Sequence, residues 1–309
     1  MKESQQLPPA IEAPRAGRGQ PAPCLLAFTH GQNTYCSLLL LTCAVLAWRR
    51  RRAVMAGLFI GLLAYKPQLA ALVGVGALVD LGWRVFAGAV VTGGMLTLSA
   101  ILTMPGIVGT YRASLPRLLQ FMQVEHVYLW ERHVTLKAFW RLLLQGHAPG
   151  EVAISVTLLA SLCAAALLVA LLAAAFRCHF TKGDTSLRRD RLIAATIATM
   201  PLVMPFYFDY DLLLIAIPAV LVAAGGHAFI AGRSRRVLVG AWSALFVWMT
   251  VNPDVAELTR VNGAVPLLGV VATLLVTRAL RRDAETSQCQ PDGLAIAPPT
   301  DRRPLRRAA

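Results

Sequence analysis

Charge is scarce in this 309-residue chain, and negative charge most of all. Only 15% of residues are charged, and 16 acidic residues face 30 Lys and Arg, for a net charge of +14. A soluble domain carries about a quarter of its residues as charge, so a water-soluble globule of this length is not expected. The six cysteines form no CxxC pair, which argues against a zinc ribbon or a disulfide framework. Cys36 and Cys43 read as small hydrophobes in one apolar run. The first thirty residues carry Lys2, Arg15, Arg18 and several prolines, with no apolar stretch long enough for a signal peptide. No basic domain with interleaved aromatics is present, so the positive charge does not indicate nucleic-acid binding. His126 and His133 are two helical turns apart, too far to share a metal easily, and no metal or cofactor is expected.

What is abundant is apolar sequence. The chain is 56% hydrophobic, with a mean hydropathy of +0.58. Its charges cluster between apolar runs, the pattern of an all-α, polytopic integral membrane protein. Periodicity and breakers predict helical segments over 33–48, 54–65, 68–82, 85–104, 151–176, 192–208, 210–226, 236–251 and 263–280. These are about nine segments, and two of them form a short broken hairpin. Residues 1–30 and 282–309 read as polar, proline-rich disordered tails. They flank a transmembrane domain over 31–281.

Basic residues set the orientation. If Arg49-Arg50-Arg51-Arg52 is cytoplasmic, sixteen Lys and Arg of the helical domain fall inside and six outside. Residues 105–150 then form an extracytoplasmic loop. Its Leu118, Leu119, Met122, Val127, Leu129 and Trp130 suit a membrane interface, with Arg117, Arg132 and Lys137 near lipid phosphates. The location implied is a cell membrane, crossed several times.

The most informative interruption is Tyr65-Lys66-Pro67-Gln68, inside a long apolar stretch. A charge at membrane depth costs at least ~2.5 kcal/mol and normally faces a cavity or a partner. Proline removes a backbone donor, which survives there only where protein or water satisfies the freed groups. The predicted topology brings four stretches to the outer face: His30 to Asn33, Lys66 with Gln68, the 105–150 loop, and Phe206-Tyr207-Phe208-Asp209-Tyr210-Asp211. Asp209 and Asp211 are two of seven carboxylates on that side. Either one offers a base for a hydroxyl, a sugar ligand or a counter-charge for Lys66. Gln32, Asn33 and Gln68 offer neutral polar groups for sugar hydroxyls or helix caps. Gly57 and Gly61 form a GxxxG pattern suited to close helix packing.

Four elements together resemble glycosyltransferase family 87. They are Gly31-Gln32-Asn33 opening a helix, Ala56-Gly57-Leu58 with Gly61, the Tyr65–Gln68 break, and the aromatic-acidic run from Phe206 to Asp211 after a Pro-containing helix. The similarity covers residues 28–280. The family lies in the membrane GT-C superfamily and includes polyprenyl-phosphate-mannose-dependent mannosyltransferases. The resemblance implies hexosyl transfer, with mannose the expected sugar, from a polyprenyl-phosphate donor to a lipid or glycan acceptor. It implies no metal. Lys66 would hold the donor phosphate. Gln68, Gln32, Asn33, Tyr207 and Tyr210 would line the donor site. Asp209 or Asp211 would contact sugar or act on the acceptor. In that superfamily a carboxylate in the first outer loop serves as base. The only carboxylates before Gly31 are Glu3 and Glu12, so earlier membrane segments are expected to be missing.

Two rival readings come from other classes. A broken helix with a buried cation also marks transporters, although no second copy of the break is present. A truncated, non-catalytic remnant is the other. The charge asymmetry makes its own prediction. Reporter fusions after Arg52, Arg189 and Arg236 report cytoplasm, and fusions near His126 and Asp254 report the outside. An outside signal at Arg189 would overturn the orientation.

Overall fold

A computed structural model describes residues 33–125, 128–180, 186–252 and 254–281. The two tails and Gln32 lie outside the described residues. Among the described residues twelve α-helices occur: α1 Thr34–Arg49, α2 Ala53–Leu62, α3 Pro67–Leu81, α4 Arg84–Thr103, α5 Ile107–Gln120, α6 Leu136–Gln145, α7 Ile154–Phe180, α8 Ser186–Val203, α9 Ala216–Phe229, α10 Gly232–Val251, α11 Asp254–Thr259 and α12 Ala264–Leu280. The architecture is that of an all-helical membrane protein. Three helical stretches are long and apolar enough to cross a membrane: Arg84–Thr103, Ile154–Phe180 and Asp209–Phe229.

Helix α8 is the axis of the bundle. Every residue from Arg191 to Leu202 is buried, with α3, α7, α9 and α12 packed around it. The chain places no charge in α8 beyond Arg191, so the helix can be enclosed on all sides. Helix α4 is the opposite case. Leu96, Leu98, Leu102 and Met95 are all exposed, and only lipid satisfies such a surface.

Helix α4 is held to the bundle through α2. A Cβ at Gly57 would collide with the Val85 carbonyl, and one at Gly61 with Ala89 and Thr92. Gly88 approaches Val54 in the same way. The two backbones therefore touch, and Thr92 Oγ1 donates to the Leu58 carbonyl at 2.7 Å. This is small-residue packing, which in lipid replaces the missing hydrophobic drive between helices.

The basic end of the bundle is pinned by one buried carboxylate. Asp80, near the end of α3, accepts from Trp48 Nε1 at 2.8 Å, from Arg189 Nε at 2.7 Å and from Cys178 Sγ at 3.4 Å. It thereby joins α1, α3, α7 and α8. Arg49 adds an ion pair to Asp190 at 2.7 Å. Sequence reading passed over Asp80 because a lone acid at a helix end looks like a surface residue.

The 105–150 segment holds two helices, α5 and α6. Helix α6 starts because Thr135 Oγ1 accepts from the Ala138 amide at 3.1 Å. Trp130 is 2% exposed and packs inside the fold, not at an interface. Leu118, by contrast, lies on an exposed face of α5, which buries no residue. Helix α8 begins at Ser186, earlier than expected from hydropathy, since its charged first turns are held by Arg189 to Asp80 of α3 and by Asp190 to Arg49 of α1. Cys36 is exposed rather than packed.

The backbone contact between α2 and α4 leads to a paired test. Gly61→Leu should destabilise the protein by about 2 kcal/mol or more, as overpacking of a closed contact does. Gly94→Ala lies in α4 with open space around it and should be neutral or slightly stabilising. Thermal unfolding of the purified protein in detergent reads both. Equal behaviour of the two variants would contradict the contact.

Candidate active site

Lys66 breaks the helix for a local reason. It sits at φ −121°, ψ 77°, as the residue before a proline is steered to do. Pro67 then opens α3 at a position whose amide needs no partner. Tyr65 closes the preceding 3₁₀ turn, Leu63–Tyr65, and its hydroxyl lies 2.7 Å from Ser37 Oγ on α1. The break is thus tied to the first helix.

The Lys66 ammonium donates to Asp211 Oδ1 at 2.7 Å. Thr34, in the first turn of α1, donates to the same oxygen at 2.7 Å. Asp211 belongs to the 3₁₀ segment Asp209–Ile215, and its carbonyl accepts from the Tyr207 hydroxyl at 2.7 Å. A cavity of about 170 Å³ adjoins this pair, lined by Lys66, Gln68, Phe206, Tyr210 and Asp211 among others. Lys66 and Asp211 stand at one end of α3 and Asp80 at the other, about 20 Å away along the helix. The bundle therefore has two charged centres at opposite ends.

Asp209 has a different setting, although it is only two residues from Asp211. It is 1% exposed and takes a two-pronged contact from Arg132, at 3.0 and 3.1 Å. Its Oδ1 also accepts from the Tyr210 amide at 2.8 Å. Asp209 does not line the cavity. A bidentate guanidinium–carboxylate pair of this kind fixes geometry. Here it clamps the 128–135 segment onto the 206–211 segment.

The clamp extends along the backbone. The Val134 amide donates to the Tyr207 carbonyl at 2.9 Å, and His133 pairs with Phe208 as an isolated bridge. The His133 ring, 1% exposed, is enclosed by Tyr128 at 5.0 Å, Phe208 at 4.0 Å and Phe206 at 6.1 Å. Burial first, and then the charges of Arg132 and Lys137, push its pKa down to about 3. The imidazole is neutral at physiological pH. Asn262 Nδ2 donates to the Glu131 and His133 carbonyls at 2.9 and 3.0 Å. Asn252 Nδ2 adds a bond to Glu131 at 3.1 Å.

Of the residues named from sequence, the fold brings Lys66, Gln68, Tyr207, Tyr210 and Asp211 to one cavity. Asn33 is exposed and its side chain does not cap α1. Its carbonyl accepts from the Ser37 amide instead, at 3.0 Å. Gln32 lies outside the described residues. Arg132 was expected near lipid phosphates and is instead the partner of Asp209. Sequence reading missed Thr34, Arg132 and His133 as neighbours of the site. The available signal was the need of two adjacent outer aspartates for two cations. Among the described residues no cluster of three or more His, Cys, Asp or Glu has the makings of a metal site.

A model of glycosyltransferase family 87 matches residues 21–205. The chain belongs to glycosyltransferase family 87. The matched residues include the Lys66–Pro67 break and the 128–135 clamp, and they end just before the aromatic-acidic run that completes the cavity. No curated protein and no solved structure matches the chain. In this family 87 protein the residues around Lys66 therefore have to be judged on their own geometry.

The buried imidazole gives a pH prediction. Its folded pKa lies below the free value, so unfolding takes up a proton whenever pH falls below about 6.5. The stability linked to this group is complete above 6.5 and is lost as pH falls from there towards 3. At pH 5 the loss is about 2 kcal/mol. Its Nε2 is buried with no hydrogen-bond partner, so His133→Phe should fold. Thermal unfolding between pH 7.5 and 4.5 should show a shallower acid slope in that variant than in the wild type. Identical slopes would contradict a buried, neutral His133.

Proposed function

We propose that this family 87 glycosyltransferase transfers a hexose, mannose in the first instance, from a polyprenyl-phosphate sugar to a lipid or glycan acceptor at the outer face of a cell membrane that the chain crosses several times. The single observation behind the reading is an ammonium group at a helix break, beside a small polar cavity with aromatic walls. A point cation suits the single phosphate of a polyprenyl-phosphate sugar. Aromatic faces such as Tyr210 and Phe206, with an amide such as Gln68, suit a pyranose ring and its hydroxyls. Gln32 and Asn33 directly precede in sequence Thr34, whose hydroxyl meets Asp211.

In the resting site Asp211 supplies the counter-charge that the donor phosphate would bring. The phosphate enters beside Lys66, and Asp211 keeps Thr34 as a donor. The acceptor oxygen attacks the anomeric carbon as the bond from that carbon to the phosphate oxygen breaks, with inversion. The electron pair leaves on polyprenyl phosphate, next to the Lys66 ammonium. The acceptor proton passes to a carboxylate. Asp211 is the carboxylate that lines the cavity among the described residues, and it is placed to take that proton. Asp209, held by Arg132, keeps the wall in place.

Membranes supplied with polyprenyl-phosphate mannose and a lipid acceptor provide the test. Lys66→Met should lower turnover per KM by about 10²-fold, the scale of losing one charged contact to a developing anion. Lys66→Arg should retain more activity than Lys66→Met. Asp209→Asn should act through stability, seen as a lowered unfolding temperature. Unchanged transfer by Lys66→Met would remove the phosphate role.

A further inference from the structure

At the basic end of the bundle, opposite the cavity of Lys66, α9 and α10 border a second, open cavity of about 650 Å³. It is lined by His227, Gly232, Arg235, Arg236, Val239 and Gly240. We propose that it holds the phosphate headgroup of an anionic membrane phospholipid.

Charge is the first observation. No acidic residue occurs between Asp211 and Asp254. None of the ion pairs among the described residues uses Arg233, Arg235 or Arg236. Arg235 contacts only the His227 ring, at 3.1 and 3.3 Å. Two other arginines at this end meet acids, Arg49 with Asp190 and Arg189 with Asp80. Arg235 and Arg236 thus form a cationic pair whose counter-charge comes from outside the described fold. Simple flanking of an apolar helix explains basic residues at this end, but not their gathering around a cavity.

The walls are built rather than loose. Arg191 donates to the Ala228 and Phe229 carbonyls, closing the end of α9. Phe229 is fully buried and lies against Gly225. Gly232, at φ +62°, starts α10 directly after this anchor. The first-turn amides of the 20-residue α10 add the positive end of its dipole beside the arginines.

The position along α10 separates a lipid from a free anion. The apolar run begins at Val237, right after the two arginines, and Val237 and Val239 are exposed. A headgroup seated at Arg235 and Arg236 would lay its acyl chains over Val239 and Gly240, one turn deeper. A free phosphate would make no use of that apolar floor. Basic pockets between membrane helices take lipid headgroups in this way.

Native mass spectrometry of the full chain, with phosphatidylglycerol, phosphatidylcholine or inorganic phosphate as the probe, tests the site. Phosphatidylglycerol adducts should persist at activation energies that strip phosphatidylcholine. Arg235→Gln with Arg236→Gln should lower phosphatidylglycerol occupancy about tenfold or more. Arg50→Gln with Arg52→Gln removes the same charge at the same end, outside the cavity, and should change it less than about twofold. Val239→Trp fills the cavity without touching charge and should also lower occupancy, so the proposal stays testable if the double arginine variant unfolds. Three results would overturn it. One is equal loss in the Arg50/Arg52 variant. Another is equal retention of both lipids. The third is displacement of phosphatidylglycerol by millimolar inorganic phosphate.

Discussion

The ion pair between Lys66 and Asp211 is the constraint on which this end of the bundle depends. An ammonium at a helix break inside an apolar stretch is costly unless a counter-charge and hydrogen bonds meet it. Here the counter-charge arrives from a segment 145 residues away in sequence. Thr34 completes the carboxylate, and Tyr65 ties the break back to α1. Three separate parts of the chain thus share one requirement. Satisfying it places a small polar cavity, with aromatic walls, next to the cation.

Two further carboxylates show how differently the same group is used. Asp80 joins four helices through Trp48, Cys178 and Arg189, and it is 3% exposed. Its partners fill its hydrogen-bonding capacity and leave it no chemistry. Asp209 is also saturated, by Arg132 and a backbone amide. Asp211 differs because both side-chain bonds fall on one oxygen and the group borders open space. That contrast, more than the motif, singles it out among the acids near the site.

The two ends of the bundle have complementary electrostatics. At the end that carries the cavity, Lys66 and Arg132 are balanced by Asp211 and Asp209. The basic end balances Arg49 and Arg189 internally, whereas Arg235 and Arg236 border a cavity with no ion pair among the described residues.

How far the sequence carried the reading depends on the kind of contact. Helix α3 was legible, because proline at its first position and an apolar run leave no alternative. So was α4, because its apolar run has the length a bilayer requires. The GxxxG pattern pointed to close helix packing, and the fold supplies α4 as the partner. Lys66 stood out because charge in an apolar run is energetically anomalous. What the sequence did not disclose were pairings. Nothing local says that Arg132 belongs to Asp209 rather than to a lipid phosphate, or that Asp80 belongs to Arg189. Trp130 looked interfacial because an aromatic residue suits both an interface and a buried seam. By itself the sequence determined the helices, the membrane architecture and the suspect cation, because these follow from hydropathy and backbone chemistry within one segment. Only the tertiary structure decided which aspartate meets that cation and which is locked away, because an ion pair between distant segments depends on packing that no single stretch of chain encodes.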